Sequence, residues 1–318
     1  MKIGVLCPAD IARRRFMPAL LKTDEFEFVG VGMHTRDRAE DFLKEYPGTL
    51  FNSYEDVINS KNIECIYIPL PPSLHYKWTK KALENGKHVL VEKPCTTSVE
   101  ETKELIEIAR KNNVAIHENY MFVFHSQLED INQIVAAGEI GDIRLYRVSF
   151  GFPKRLENDF RYNKALGGGA LIDAGGYCLK YANMLLGNDA NVICATSNYV
   201  NDYEVDIYGS ATLKNHQGTT AQVSFGMDNN YKCELEIWGS LGTLKTGRVL
   251  TAPSGFIPKA VIEKNGICSE QELSEDDAFL KSIEYFARTI NEEDIRHASY
   301  QNIIRQSELV EEFRQQSN

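Results

Sequence analysis

Two stretches of the chain carry side chains whose types and spacing suit acid–base chemistry on a carbonyl or hydroxyl group. The first is Gly86-Lys-His88-Val-Leu-Val-Glu92-Lys93-Pro94, where a glutamate, a lysine and a proline directly follow an apolar run that reads as a buried strand. At the carboxyl edge of such a strand, where open α/β sheets take their ligands, an ammonium can donate a hydrogen bond to a substrate oxygen. It also draws the pKa of a neighbouring acid toward working pH. X–Pro bonds tolerate the cis form, which would fix the direction of Lys93. The second stretch is Gly167-Gly-Gly-Ala-Leu-Ile-Asp173-Ala-Gly175-Gly176-Tyr177. Asp173 and Tyr177 stand four residues apart, so on a helix they project from one face. Packing alone does not explain a buried aspartate among glycines. A phenol is neutral at pH 7 and suits proton donation to a developing alkoxide. The plain alternative is a half-buried tyrosine bonded to a core aspartate, and the lysine segment weighs against it. Arg161, Tyr162 and Asn163 precede the glycine run and either hold substrate or form a solvated loop. His75, Glu92 and Asn119 fall at strand ends and are second-tier ligand contacts, whereas His88 and His117 read as structural.

A further pair of segments suits phosphate. Gly4-Val-Leu-Cys7-Pro8-Ala9-Asp10-Ile11-Ala12 has the strand–turn–helix form in which backbone N–H groups at a helix start meet a pyrophosphate. Its glycines are sparse, with Cys7 at the first position and Pro8 removing one N–H donor. Taken alone it reads equally well as an ordinary strand–helix turn. After the second strand comes Thr35-Arg36-Asp37-Arg38. A carboxylate there would select NAD through the ribose 2′-hydroxyl, and a hydroxyl followed by arginine suits the 2′-phosphate of NADP. The alternative is a solvated, charged helix start. Arg13, Arg14 and Arg15 either add positive charge nearby or form a solvated face.

These segments need elements to hold them. Strands are expected at residues 2–6, 26–33, 63–68, 88–91 and 114–117, alternating with helices at 9–22, 38–45, 53–59, 76–85 and 98–111. The helix at 98 opens on the capping box Ser98-Val-Glu-Glu101. Strand–helix alternation of this kind builds a parallel sheet covered on both faces. Past about residue 125 the pattern changes to period-2 strands at 143–150, 220–225 and 232–238, with a helix at 170–186. That is a mainly antiparallel sheet with one face on a core. Helices at 276–291 and 299–315 end the chain.

The chain has 318 residues, which suggests two domains, and a formal charge of −10, which argues against a nucleic-acid partner. Apolar runs are too short for a membrane span and the N-terminus does not read as a signal peptide. Seven cysteines without a CxxC point to reduced thiols in the cytoplasm, and the seven scattered histidines to chemistry without a metal.

Taken together, the N-terminal strand–turn–helix, Pro69–His75, Gly86–Pro94 and Gly167–Tyr177 resemble, over essentially the whole chain, the Gfo/Idh/MocA family of nicotinamide-dependent oxidoreductases. The resemblance implies an α/β fold, with an N-terminal Rossmann dinucleotide-binding domain (1–122) and a C-terminal α+β domain (123–318) for substrate binding and oligomerisation. The second domain would carry a large open, mainly antiparallel sheet that packs against a partner subunit in a homodimer or homotetramer. It implies that Lys93 faces the nicotinamide and that Asp173 and Tyr177 close the site from the second domain. Cys7, Ala9, Asp10, Ile11, Thr35, Arg36, Pro69, Leu70, His75, Glu92, Lys93 and Asn119 would line the cofactor, NADP(H) by preference and NAD(H) otherwise. Tyr177, where many members have histidine, is similar to the glucose-fructose oxidoreductase, dihydrodiol dehydrogenase and sugar 3-ketoreductase branches. Residues 9–20 and 118–127 look like the matching stretches of nucleotide-sugar C-3 ketoreductases. Cys7-Pro8 departs from the Gly-Cys common there, which implies fewer backbone donors for the pyrophosphate. The expected reaction is hydride transfer between NADP(H) and a sugar, with a nucleotide-linked keto sugar as substrate. In it Tyr177 gives the proton, with Lys93 as the competing donor. A dehydrogenase of free sugars, polyols or trans-dihydrodiols is the alternative, and a non-catalytic sensor on the same fold is a second.

Overall fold

Short segments, most of them rich in Val, Ile or Leu, become six parallel strands: β1 (Lys2–Val5), β2 (Glu27–Gly32), β3 (Thr49–Phe51), β4 (Cys65–Ile68), β5 (His88–Glu92) and β6 (Ile116–Asn119). Every residue of β4 is buried, as expected of a strand covered on both faces. The computed structural model describes residues 1–33, 35–200 and 203–317. The strand order is β3-β2-β1-β4-β5-β6, which reverses direction between β1 and β4 and opens a ligand crevice at the carboxyl ends. The crossovers are α1 (Met17–Leu20), α2 (Arg36–Glu45), α3 (Tyr54–Asn59), α4 (Pro72–Glu84) and α5 (Val99–Lys111). Ser53 Oγ accepts from Asp56 N at 3.1 Å and Ser98 Oγ from Glu101 N at 3.2 Å, so both serines cap as their spacing predicts. The box at Ser98 is only half made, because its own N–H donates to Thr96 Oγ1. The structure also differs in three local ways. Strand β3 was not expected from Thr-Leu-Phe, which is too short to show a period. Helix α4 begins at Pro72 rather than at 76, since proline in a first turn starts a helix as readily as it breaks one. Ahead of α1, residues Ala12–Phe16 form a wide π-type turn.

The second sheet has eight strands: β7 (Ile143–Gly151), β8 (Asn191–Asn198), β9 (Tyr208–Lys214), β10 (Thr220–Gly226), β11 (Lys232–Gly239), β12 (Thr243–Gly247), β13 (Lys259–Lys264) and β14 (Ile267–Glu272). Their order is β14-β13-β12-β11-β7-β10-β9-β8, antiparallel throughout except for the parallel pair β7–β10. Ala221, Val223 and Phe225 on β10 and Cys233, Leu235 and Ile237 on β11 face the core, while Gln222, Ser224, Glu234 and Glu236 alternate outward. Period-2 reading missed β8, β12 and β13, as well as β14, exposed at every residue, and β9, whose buried face carries the small Gly209 and Ala211. Helix α6 (Gln127–Ala136) precedes this sheet, and α7 (Gly176–Leu186) follows a second π-type turn at Leu171–Gly175.

Two helices close the chain, α8 (Ala278–Asn291) and α9 (Glu293–Gln316). The compact units are Met1–Tyr120 with Phe279–Ser307, and Met121–Ala278 with the residues from Glu308 on. Where the sequence reading put all of 123–318 in one domain, packing returns 279–307 to unit 1. Tyr300 donates to Val114 O at 2.6 Å, Ser299 to Ile116 O at 3.2 Å, and Phe286 stacks on Phe26 at 5.5 Å. Tyr300 and Ile303 complete a core with Ile66, Val89, Leu105 and Ile116. An amphipathic pattern predicts that a helix buries one face, and does not say against which core.

Candidate active site

Unit 1 supplies the dinucleotide edge. After β1 the chain turns tightly, with Ala9 N donating to Cys7 O at 2.9 Å, and Asp10 starts the helix. That bond uses the Ala9 N–H and Pro8 has none, so the turn has few donors left for an anion. Cys7 is half-buried, and burial pushes its thiol up against the hydrogen bond of Tyr54 and the charge of Arg38. Thr35 is the N-cap of α2 and spends no side-chain bond on the cap. Arg36 beside it is 69% exposed and held by a surface pair with Glu40 at 2.7 Å, which costs little to open. A free hydroxyl, a releasable guanidinium and the crevice at the strand reversal fit a dinucleotide carrying a 2′-phosphate.

The Lys93–Pro94 peptide is cis, directly after β5. Register sets Glu92 of β5 opposite Asn119 of β6, and Asn119 Nδ2 donates to Glu92 Oε1 at 2.7 Å. Tyr67 of β4 donates to the same oxygen at 2.7 Å. Burial raises the Glu92 carboxyl above its ordinary value, against those two bonds and the Lys93 charge. Leu70 and Pro69 are buried at the end of β4. His75 does not present its ring to a ligand. It is fully buried, with Nδ1 2.7 Å from Pro94 O and Nε2 2.7 Å from Leu70 O, so it ties the turn after β4 to the loop that follows Lys93. Burial holds the imidazole down to about 4, so it stays neutral and donates one N–H.

Unit 2 carries the aspartate and the phenol. Asp173 lies in the wide turn and Tyr177 in the first turn of α7. Arg161 Nε donates to Asp173 Oδ2 at 2.7 Å, and its Nη1 reaches Asp159 at 3.1 Å. Burial works against the guanidinium, but the two carboxylates outweigh it and hold its pKa above the ordinary value. Arg161 is thus neither a solvated loop residue nor an uncommitted substrate contact. Tyr162 is buried, its hydroxyl accepting from Arg155 N and donating to Met227 O at 3.1 Å, so it supports the loop. Exposed Asn163 turns the chain, accepting from Ala165 N at 2.9 Å. Tyr177 is 8% exposed. Its ring sits between Phe122 and Phe150, and its hydroxyl reaches the thioether of Met121 at 3.9 Å, a weak acceptor.

Sequence reasoning missed Asp206. Its Oδ2 accepts from Leu171 N at 2.7 Å and its carbonyl from Ala170 N at 2.9 Å, capping the helix start that bears Asp173 and Tyr177. The same contact explains Gly169, whose φ is +123° and where a Cβ would collide with Asp206 Oδ1. At Gly168 a Cβ would run into the Arg161 carbonyl. Asp206 belongs to no motif, and only the glycine run hints that something approaches closely there.

Comparison with known proteins places the chain among oxidoreductases. The Gfo/Idh/MocA model, an oxidoreductase family with an NAD-binding Rossmann fold, matches residues 2–120, and the model of the Gfo/Idh/MocA C-terminal domain matches residues 128–245. The chain is 34% identical over 317 residues to dTDP-3,4-didehydro-2,6-dideoxy-alpha-D-glucose 3-reductase of Saccharopolyspora spinosa, covering 98% of this chain and 96% of that one. The enzyme of the same name from Actinomadura kijaniata is 35% identical over 314 residues, covering 99% and 95%. A 3-ketoreductase from A. kijaniata, solved with NADP and TDP-benzene, superposes with a TM-score of 0.96 at 34% identity, covering 100% of this chain and 98% of that one.

Proposed function

The chain belongs to the Gfo/Idh/MocA family of NAD(P)-dependent oxidoreductases, and on that footing we propose that it reduces the 3-keto group of a dTDP-linked deoxysugar with NADPH. The observation that carries the mechanism is the Arg161–Asp173 ion pair. An aspartate committed to a guanidinium accepts hydrogen bonds and gives no proton, which leaves Tyr177, one turn along, as the donor in this unit, with Lys93 its competitor. Bound nicotinamide supplies the hydride that adds to the carbonyl carbon. As the C=O electrons move onto oxygen, the Lys93 ammonium stabilises the charge and Tyr177 delivers its proton. The product is an alcohol, and the phenolate regains a proton from solvent. Asp173 orients substrate hydroxyls while Arg161 holds it. Thr35 and Arg36 take the 2′-phosphate; Cys7, Ala9, Asp10 and Ile11 meet the pyrophosphate; Pro69, Leu70, Glu92 and Asn119 border the nicotinamide end.

Titration with both nucleotides tests the cofactor. NADPH should bind at least about tenfold tighter than NADH, roughly 1.4 kcal/mol, and Arg36→Ala should erode the difference. Steady-state turnover on a dTDP-linked 3-keto sugar, set against free polyols and dihydrodiols, tests the substrate; activity on the free compounds alone overturns it. The reading also includes a homo-oligomer formed through the outward face of the eight-stranded sheet, checked by light scattering. It places the enzyme in the cytoplasm, supported by seven unpaired cysteines among the described residues.

A further inference from the structure

The hydrogen bonds at Glu92 continue into the protein. Asn119, 1% exposed, gives its Nδ2–H to Glu92, and its Oδ1 accepts from Ser282 Oγ at 2.8 Å. Ser282 is fully buried on α8, 3.0 Å from Nε2 of His117. Counting donors orients the whole chain of bonds. The carboxylate accepts, so the amide NH2 faces it and the amide oxygen faces Ser282. The serine has one proton and gives it to Asn119, so its oxygen accepts from His117, which must carry its proton on Nε2. The imidazole packs against Tyr285 at 5.4 Å and Phe286 at 6.3 Å. From the other neighbouring strand, Tyr67 is held by stacking on Phe16 at 3.7 Å as it donates to Glu92.

We propose that Ser282 and His117 are positioning residues for the Glu92–Lys93 edge, acting through the orientation of Asn119. An asparagine amide has two orientations half a turn apart, and in one of them alone does it donate to Glu92. The Ser282 hydroxyl, committed by His117, selects that one; without it the buried Oδ1 is left without a donor and the amide turns. Glu92 then loses a donor one residue before Lys93, where small displacements at a reacting group are costly. Neither Ser282 nor α8 lies within the segment that matches the family's Rossmann model, residues 2–120, yet this relay makes α8 part of the cofactor edge.

The proposal rests on Lys93 belonging to a reductase site, so the test reads cofactor binding and proton position apart from sugar turnover. In the full chain, Ser282→Ala and His117→Phe should weaken NADPH, read by nicotinamide fluorescence, about threefold or more. They should lower kcat about tenfold, with sugar KM within twofold. Ser282→Thr and His117→Gln, which keep a donor at each position, should recover most of both. Nitrogen-15 NMR of the wild type should find His117 as the Nε2–H tautomer. Unchanged NADPH affinity and kcat in Ser282→Ala, equal damage from His117→Gln and His117→Phe, or an Nδ1–H tautomer would each overturn the relay. Should Ser282→Ala not fold, the two His117 variants and the tautomer still decide. A protein inactive on every sugar whose Ser282→Ala variant loses NADPH affinity keeps the relay and sinks the substrate assignment.

Discussion

The candidate residues of unit 1 and those of unit 2 are held in place by different forces. In unit 1, Glu92 and Asn119 stand abreast because β5 and β6 pair in that register, and Tyr67 arrives from β4. Backbone pairing delivers the side chains, and hydrogen bonds from an amide and a phenol trim their direction. In unit 2, Asp173 and Tyr177 sit at a helix start that no ladder holds. Their placement depends on an ion pair to Arg161 and a cap from Asp206, both from outside the helix. A strand-end site is positioned first by the sheet; a helix-start site depends on its tertiary partners.

The sharpest way to break this comparison is to ask which unit carries the proton donor. Tyr177→Phe should cut kcat by about 10²–10⁴ while NADPH affinity stays within twofold. A near-normal rate, with Lys93→Met inactive, would move the acid into unit 1. Next in size is Arg161→Leu, which takes the guanidinium away from Asp173 in a mostly buried setting. Urea unfolding should show a loss of about 3 kcal/mol, and Arg161→Lys should recover only part, for want of the guanidinium fork. A loss below about 0.5 kcal/mol would mean that charge does not hold unit 2.

Acid should act on unit 1. Burial holds both His75 and His88 down to about 4 in the folded chain, and the charge of Arg296 adds to the effect at His88. Both lie below the ordinary histidine value near 6.5, so on acidification the unfolded chain binds protons first. Stability is therefore full above about pH 6.5 and falls toward pH 4, by at most about 1.4 kcal/mol per pH unit for each ring. Urea midpoints from pH 7 to 5 read the slope, and His88→Gln should roughly halve it; an unchanged slope would remove His88 from the account. The smallest effect is Asp206→Ala, about 1 kcal/mol for a lost cap, with Asp206→Asn milder because its amide oxygen still accepts. Equal losses from the two would show that the carboxylate charge, rather than the cap geometry, matters.

Much of this was legible in the sequence because it is local. Alternation of apolar runs and helices announced the parallel sheet, and Ser53 and Ser98 announced their caps. The spacing of Asp173 and Tyr177 put both on one stretch of helix, although that stretch opens as a wide turn. Lys93 stood out because a charged residue directly follows a buried strand. The misses share one character. His75 looked like a ligand contact and is a clamp between two carbonyls; Arg161 looked like a substrate contact or a solvated loop residue and holds Asp173; Asp206 and Ser282 carried no signal. By itself the sequence determined the periodicities, the turn chemistry and which residue types stand near one another along the chain. Tertiary structure decided that residues 279–307 join the first core, and which buried polar group satisfies which. Propensity and period act over a few neighbouring residues. A buried donor takes whichever acceptor the packing of distant segments brings within about 3 Å.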